Sequence, residues 1–89
     1  MLQRFEISGM SMSPTLQPGD RVLVRTGGKI CAGDCIVFVK AGLKMIKRAV
    51  QKIGTRWHVR GDNLNESTDS LEYGEIEERS IVGRVIYRY

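Results

Sequence analysis

The chain has 89 residues and carries 14 lysines and arginines against 10 acidic residues, for a net charge of +4 and a sequence pI near 9.4. That length supports one small domain, residues 1–89, with a modest core and no room for a second folded unit. Its basic residues are scattered and interleaved with Asp and Glu, without a basic block or a nucleic-acid motif, so the charge reads as a solvated basic surface and no nucleic-acid partner is expected.

The opening Met1-Leu2-Gln3-Arg4-Phe5-Glu6 lacks the long apolar core of a secretion signal. The longest apolar run, Ile36-Val37-Phe38-Val39, falls far short of the roughly 18 residues that cross a bilayer. Nothing is therefore expected to anchor or export the chain, and the expected location is the cytoplasm. Gln3 to Ile7 alternates weakly and predicts an edge strand.

The next stretch, Ser8 to Asp20, places small hydroxyl residues on a tight turn with no apolar reason for them. Pro14 suits the first position of a short helical turn, where its missing N–H costs nothing, and Pro18-Gly19-Asp20 suits a reverse turn. Ser11 is left on the approach to that turn, beside free backbone N–H groups. A hydroxyl next to such donors is what an acyl-transfer nucleophile and its oxyanion hole require.

Beyond it the chain reads as short strands joined by glycine-rich turns, which predicts a mainly β fold without internal repeats. Arg21 to Arg25 is a strand with charged ends, stopped by Gly27-Gly28. Cys31 and Cys35 are too few for a secreted disulfide framework, and with one histidine they do not complete a zinc set, so reduced thiols are expected and no metal or cofactor. Gly33-Asp34 turns the chain into Cys35 to Val39, which is apolar on both faces and hence expected to be central. Ala41-Gly42 makes the following turn.

From Leu43 to Val50, strand alternation puts Leu43, Met45, Lys47 and Ala49 on one face and Lys44, Ile46, Arg48 and Val50 on the other. Lys47 is the lone charge among apolar neighbours. Burial disfavours an ammonium group, and a lysine acting as a base near neutrality needs its pKa lowered from about 10.4 toward roughly 7–8, a difference of about 4 kcal/mol. The competing expectation is a lysine whose stem snorkels along the sheet to water. Arg56 to Arg60 is a further strand with Trp57 and Val59 inward, which leaves His58 on a face shared with two arginines and ill placed as the base of a Ser-His-Asp triad. Gly61-Asp62-Asn63 opens a polar loop through Ser70, Glu75 to Ser80 suggests a helical turn, and Ile81 to Tyr89 is a closing strand with a glycine kink at Gly83.

Four segments in order, Ser11-Met12-Ser13-Pro14-Thr15-Leu16, Gly33-Asp34-Cys35-Ile36-Val37-Phe38, Ile46-Lys47-Arg48-Ala49-Val50, and Gly61-Asp62-Asn63 followed by Ser67-Thr68-Asp69-Ser70, resemble the successive boxes of signal peptidase I. The likeness spans most of the chain from Gly9 to Gly83. That group and the related self-cleaving repressor domains are serine peptidases with a Ser/Lys dyad on a small, coiled, partly open β-barrel-like scaffold. The resemblance implies Ser11 as nucleophile and Lys47 as general base. It also implies Ser67 as the hydroxyl that orients the lysine, Asp62 as the partner of Arg48, and Asp69 as a second structural acid. The arginine that usually accompanies Asp69 is Leu71 in this chain. Gly9 stands where some relatives have a serine that donates to the oxyanion, which shifts that task to the backbone N–H of Ser11.

Membrane signal peptidases carry an N-terminal anchor and usually a large insertion, and self-cleaving repressors carry an upstream DNA-binding domain; the chain shows neither pattern. It looks most like the short soluble members that mature nickel-type superoxide dismutase. The implied partner is accordingly a precursor protein with an N-terminal leader, the nickel superoxide dismutase precursor being the member this likeness points to. The rival expectations are a self-processing regulator domain using the same dyad in cis, a signal peptidase-like catalytic domain without its anchor, and a catalytically idle β module.

Overall fold

Alternating apolar residues between glycine-rich turns produce seven strands in the computed structural model, which describes residues 1–63 and 75–89. They are β1 (Leu2–Glu6), β2 (Arg21–Thr26), β3 (Cys35–Lys40), β4 (Leu43–Ile53), β5 (Arg56–Arg60), β6 (Ile76–Glu77) and β7 (Ile81–Arg88), with a 3-10 turn at Glu78–Ser80 before β7. All seven belong to one sheet in the order β1-β2-β7-β3-β4-β5-β6. Every neighbouring pair is antiparallel, and the two ends of the sheet do not join. The expected mainly β, partly open architecture is thus the one observed. Among the described residues no helix is long and apolar enough to cross a membrane.

The central position of β3 follows from its composition. Ile36, Val37 and Phe38 are all fully buried, which requires cover on both faces of the strand. Val37 packs in one cluster with Ile7, Met12, Leu16, Val22 and Val24. Ile36 and Phe38 pack in a second with Ala49, Trp57, Val59 and Ile76. One strand therefore seals two half-cores.

Three expectations are corrected. The Ser8 to Asp20 segment forms no regular helix started by Pro14: Ser11 to Thr15 are hydrogen-bonded turns closed by a single hydrogen bond from Leu16 back to Met12, and the Ser13–Pro14 peptide is cis. Glu75 to Ser80 begins as strand β6, because Ile76 and Glu77 pair with Trp57 and Arg56 before the 3-10 turn forms. On β7 the ladder slips between Gly83 and Ile81 and again between Tyr87 and Val85, on either side of Gly83 rather than at it. Glycine is needed at 83 for another reason. A Cβ there would lie 2.2 Å from the Arg25 carbonyl oxygen, so the glycine lets β7 approach β2.

The β3–β4 connection is a two-residue hairpin between Lys40 and Leu43, with φ of +53° at Ala41 and +77° at Gly42. Positive φ at both central residues matches the twist of the flanking strands. It also sets the register that decides which β4 residues turn inward.

Candidate active site

The segment between β1 and β2 leaves the sheet and returns to it at one point. There the Ile7 N–H donates to the Asp20 carbonyl (2.8 Å) and the Gly19 N–H to that of Ile7 (2.9 Å). Within the excursion Met12 and Leu16 are buried in the first cluster, and the Leu16 N–H donates to the Met12 carbonyl at 2.9 Å. Two apolar anchors thus hold the turn against the sheet while Ser11, beside Met12, remains half-buried. Among the described residues the N–H groups of Ser11 and Met12 have no backbone acceptor, which leaves them available to an incoming oxyanion. Gly9 has a φ of +81°, a conformation that disfavours any residue with a side chain.

Lys47 lies on β4 opposite Ile36 of β3, with Met45 and Ala49 next on its own face. It is 4% exposed and is the only charged residue in the core among the described residues. The snorkelling alternative is therefore not the conformation found. No ion pair or hydrogen bond to its amine is present among the described residues, and burial alone pushes the Lys47 amine below the ordinary lysine value.

Ser11 and Lys47, remote in sequence, line the same cavity of about 370 Å³, together with the end of β1 and the β4 residues from Leu43 onward. The Lys44 ammonium lies 5.1 Å from the centre of the Phe5 ring, a cation–π contact that joins β4 to β1 across this cavity. His58 is on β5 opposite Gln51 and does not line the cavity.

A second set of contacts fastens the turn to the segment after β5. The Asn63 N–H donates to the Ser11 carbonyl at 2.9 Å, and the Asn63 side-chain amide donates to that of Met10 at 3.0 Å. The Thr15 hydroxyl donates to Asp62 Oδ2 at 2.6 Å. Arg48 grips the same carboxylate with both arms of its guanidinium, Nε to Oδ1 at 3.2 Å and Nη2 to Oδ2, while Nη1 donates to the Gly33 carbonyl at 2.8 Å. The Arg48 guanidinium first, and the Thr15 hydroxyl after it, hold the Asp62 carboxyl below the usual carboxylate range against the opposing effect of burial. Asp62 therefore ties the serine turn to the strand position following Lys47.

Of the residues singled out by sequence, Ser11, Lys47 and Gly9 line one cavity, and Arg48 and Asp62 form the adjoining ion pair. Ser67 and Asp69 lie outside the described residues. Thr15 and Asn63 were not singled out, although each belongs to a quoted motif; their roles depend on hydrogen bonds between remote segments, which leave no local pattern. Cys31 is an exposed thiol and Cys35 a half-buried one that burial pushes up in pKa. Among the described residues no group of three or more His, Cys, Asp or Glu side chains gathers as a metal set.

A family model described as Peptidase S24-like matches residues 3–86. No curated protein matches the chain.

Proposed function

The chain belongs to the Peptidase S24-like family, and from that premise we propose that it hydrolyses peptide bonds with Ser11 as nucleophile and Lys47 as general base. The observation that carries this reading is the pairing of a buried amine, without an ion pair among the described residues, with a half-buried serine on one cavity. Neutral Lys47 takes the Ser11 hydroxyl proton as Oγ attacks the scissile carbonyl. The tetrahedral oxyanion is received by the N–H groups of the turn, with that of Ser11 foremost because Gly9 has no hydroxyl to offer. Protonated Lys47 then gives its proton to the leaving amine as the C–N bond breaks. Water attacks the acyl-serine ester, losing a proton to Lys47, and the proton returns to Ser11 as the acid product departs.

The substrate in this reading is the N-terminal leader of a precursor, bound extended with small side chains next to the cut. The likeness to maturation proteases suggests the precursor of nickel superoxide dismutase. Intact-mass analysis of precursor mixed with the enzyme, with Ser11→Ala and with Lys47→Ala tests both levels. Expected is cleavage by the parent and a loss of at least about 100-fold in each variant. Undiminished cleavage by either variant would remove the dyad. Cutting of other leaders but not that of nickel superoxide dismutase would remove only the substrate assignment.

A further inference from the structure

The basic residues that are scattered along the chain converge in space at a second concavity. A cleft of about 360 Å³ is lined by Arg25, Gly28, Lys29, Cys31, Asp34 and Arg84, and it shares no lining residue with the cavity of Ser11 and Lys47. Two remote segments contribute to it: the end of β2 with the turn after it, and the middle of β7. Arg25 and Arg84 are direct partners in the β2–β7 ladder, so both side chains leave the same face of the sheet side by side. Like charges placed directly opposite destabilise a sheet.

Five cations elsewhere in the fold, Arg48, Lys52, Arg56, Arg79 and Arg88, each meet a carboxylate, while the dispersed Arg4, Arg21, Lys44, Lys47 and Arg60 form no ion pair among the described residues. Arg25, Lys29 and Arg84 form no ion pair among the described residues. The one carboxylate in the cleft, Asp34, is engaged in its own turn, where Oδ2 accepts the Cys31 N–H at 2.8 Å and the Asp34 N–H donates to the Cys31 carbonyl at 3.1 Å. Three cations facing that single acid leave a positive excess in a concave space. Its volume lies within the range of small-molecule sites, about 300–1,000 Å³. Guanidinium groups match tetrahedral oxyanions in charge and fork geometry, and two of them side by side can grip one such group from two directions.

We propose that this cleft is a binding site for a phosphate dianion, free or carried on a small molecule, with Arg25 and Arg84 as the principal ligands and Lys29 closing the turn side. The site is separate from peptide cleavage and stands whether or not the Ser11–Lys47 reading does.

The test is titration of inorganic phosphate into the isotope-labelled full chain at constant ionic strength, followed by backbone amide shifts. A small phosphate monoester runs in parallel to tell free phosphate from an esterified group. Expected are saturable shifts centred on Gly28, Lys29, Cys31 and Asp34, at least 10-fold weaker binding in Arg84→Gln and Arg25→Gln, and unchanged binding in Ser11→Ala. Lys29→Gln, on an exposed turn, carries the same test without touching a strand. Thermal unfolding gives an independent reading: without phosphate Arg84→Gln melts higher than the parent because the like-charge pair is relieved, and with phosphate only the parent gains. Non-saturating shifts, shifts reproduced by chloride, parent-like binding in Arg84→Gln, or tighter binding of a glutamate-rich peptide than of phosphate would each overturn the proposal.

Discussion

An amine buried without a counter-charge loses its proton more readily than one in water, and Lys47, which has no ion pair among the described residues, is in that position. Its pKa in the fold is below the ordinary 10.5, so the two states bind protons differently over a defined window. Below the lowered value both states carry the proton, and the fold bears the whole cost of burying the charge. Between that value and 10.5 only the unfolded chain holds the proton, so stability rises with pH. Lys47→Met should therefore stabilise the fold by about 1–3 kcal/mol below the lowered value. The gain should shrink toward pH 10.5 in parallel denaturant titrations. Cleavage by the parent should rise with pH through the same lowered value, as the neutral base becomes available; a flat pH–rate profile would contradict the base role. At Gly9 the conformation is the issue rather than space, since a Cβ would meet nothing within 4 Å while φ is +81°. Gly9→Ala should cost about 1–2 kcal/mol, the left-handed penalty of an L-residue, measured by urea unfolding.

The elements around the site are held by a few contacts whose loss is separable. Asp62 joins Thr15 of the serine turn to Arg48 of β4, and its lowered pKa means that this stabilisation is present above the ordinary carboxylate value of 3.8 and fades as pH falls through the lowered one. Asp62→Ala should cost about 1.5–3 kcal/mol at neutral pH. In strong acid it should cost little, with chemical denaturation at both pH values as the check. As a positioning change it should depress turnover while Lys47 keeps its apparent pKa in the pH–rate profile. The β3–β4 hairpin offers a change of opposite sign. Ala41 holds a φ of +53°, so Ala41→Gly should stabilise by about 1 kcal/mol, seen as a higher melting temperature.

Across the whole molecule the limiting feature is a small core divided in two by its central strand. A domain of this size is stable by about 4–13 kcal/mol. Phe38→Ala removes the largest fully buried side chain among the described residues, at a cost of about 3–5 kcal/mol, a large share of that total, which should appear as a markedly lower melting temperature by circular dichroism. Much of this architecture was legible beforehand, because strand alternation and turn residues act over a few neighbouring positions. The two-faced apolar run at Ile36 to Phe38 predicted a central strand, and alternation predicted that Lys47 turns toward apolar neighbours. The tertiary structure alone decided that β7 enters between β2 and β3, that Gly83 is needed for close approach, that Asp62 binds both Thr15 and Arg48, and that Arg25, Lys29 and Arg84 meet in one cleft. Periodicity records which way a side chain faces along its own strand. Which remote strand lies beside it is set by how the sheet closes over both half-cores, a choice shared by the whole chain and written at no single position.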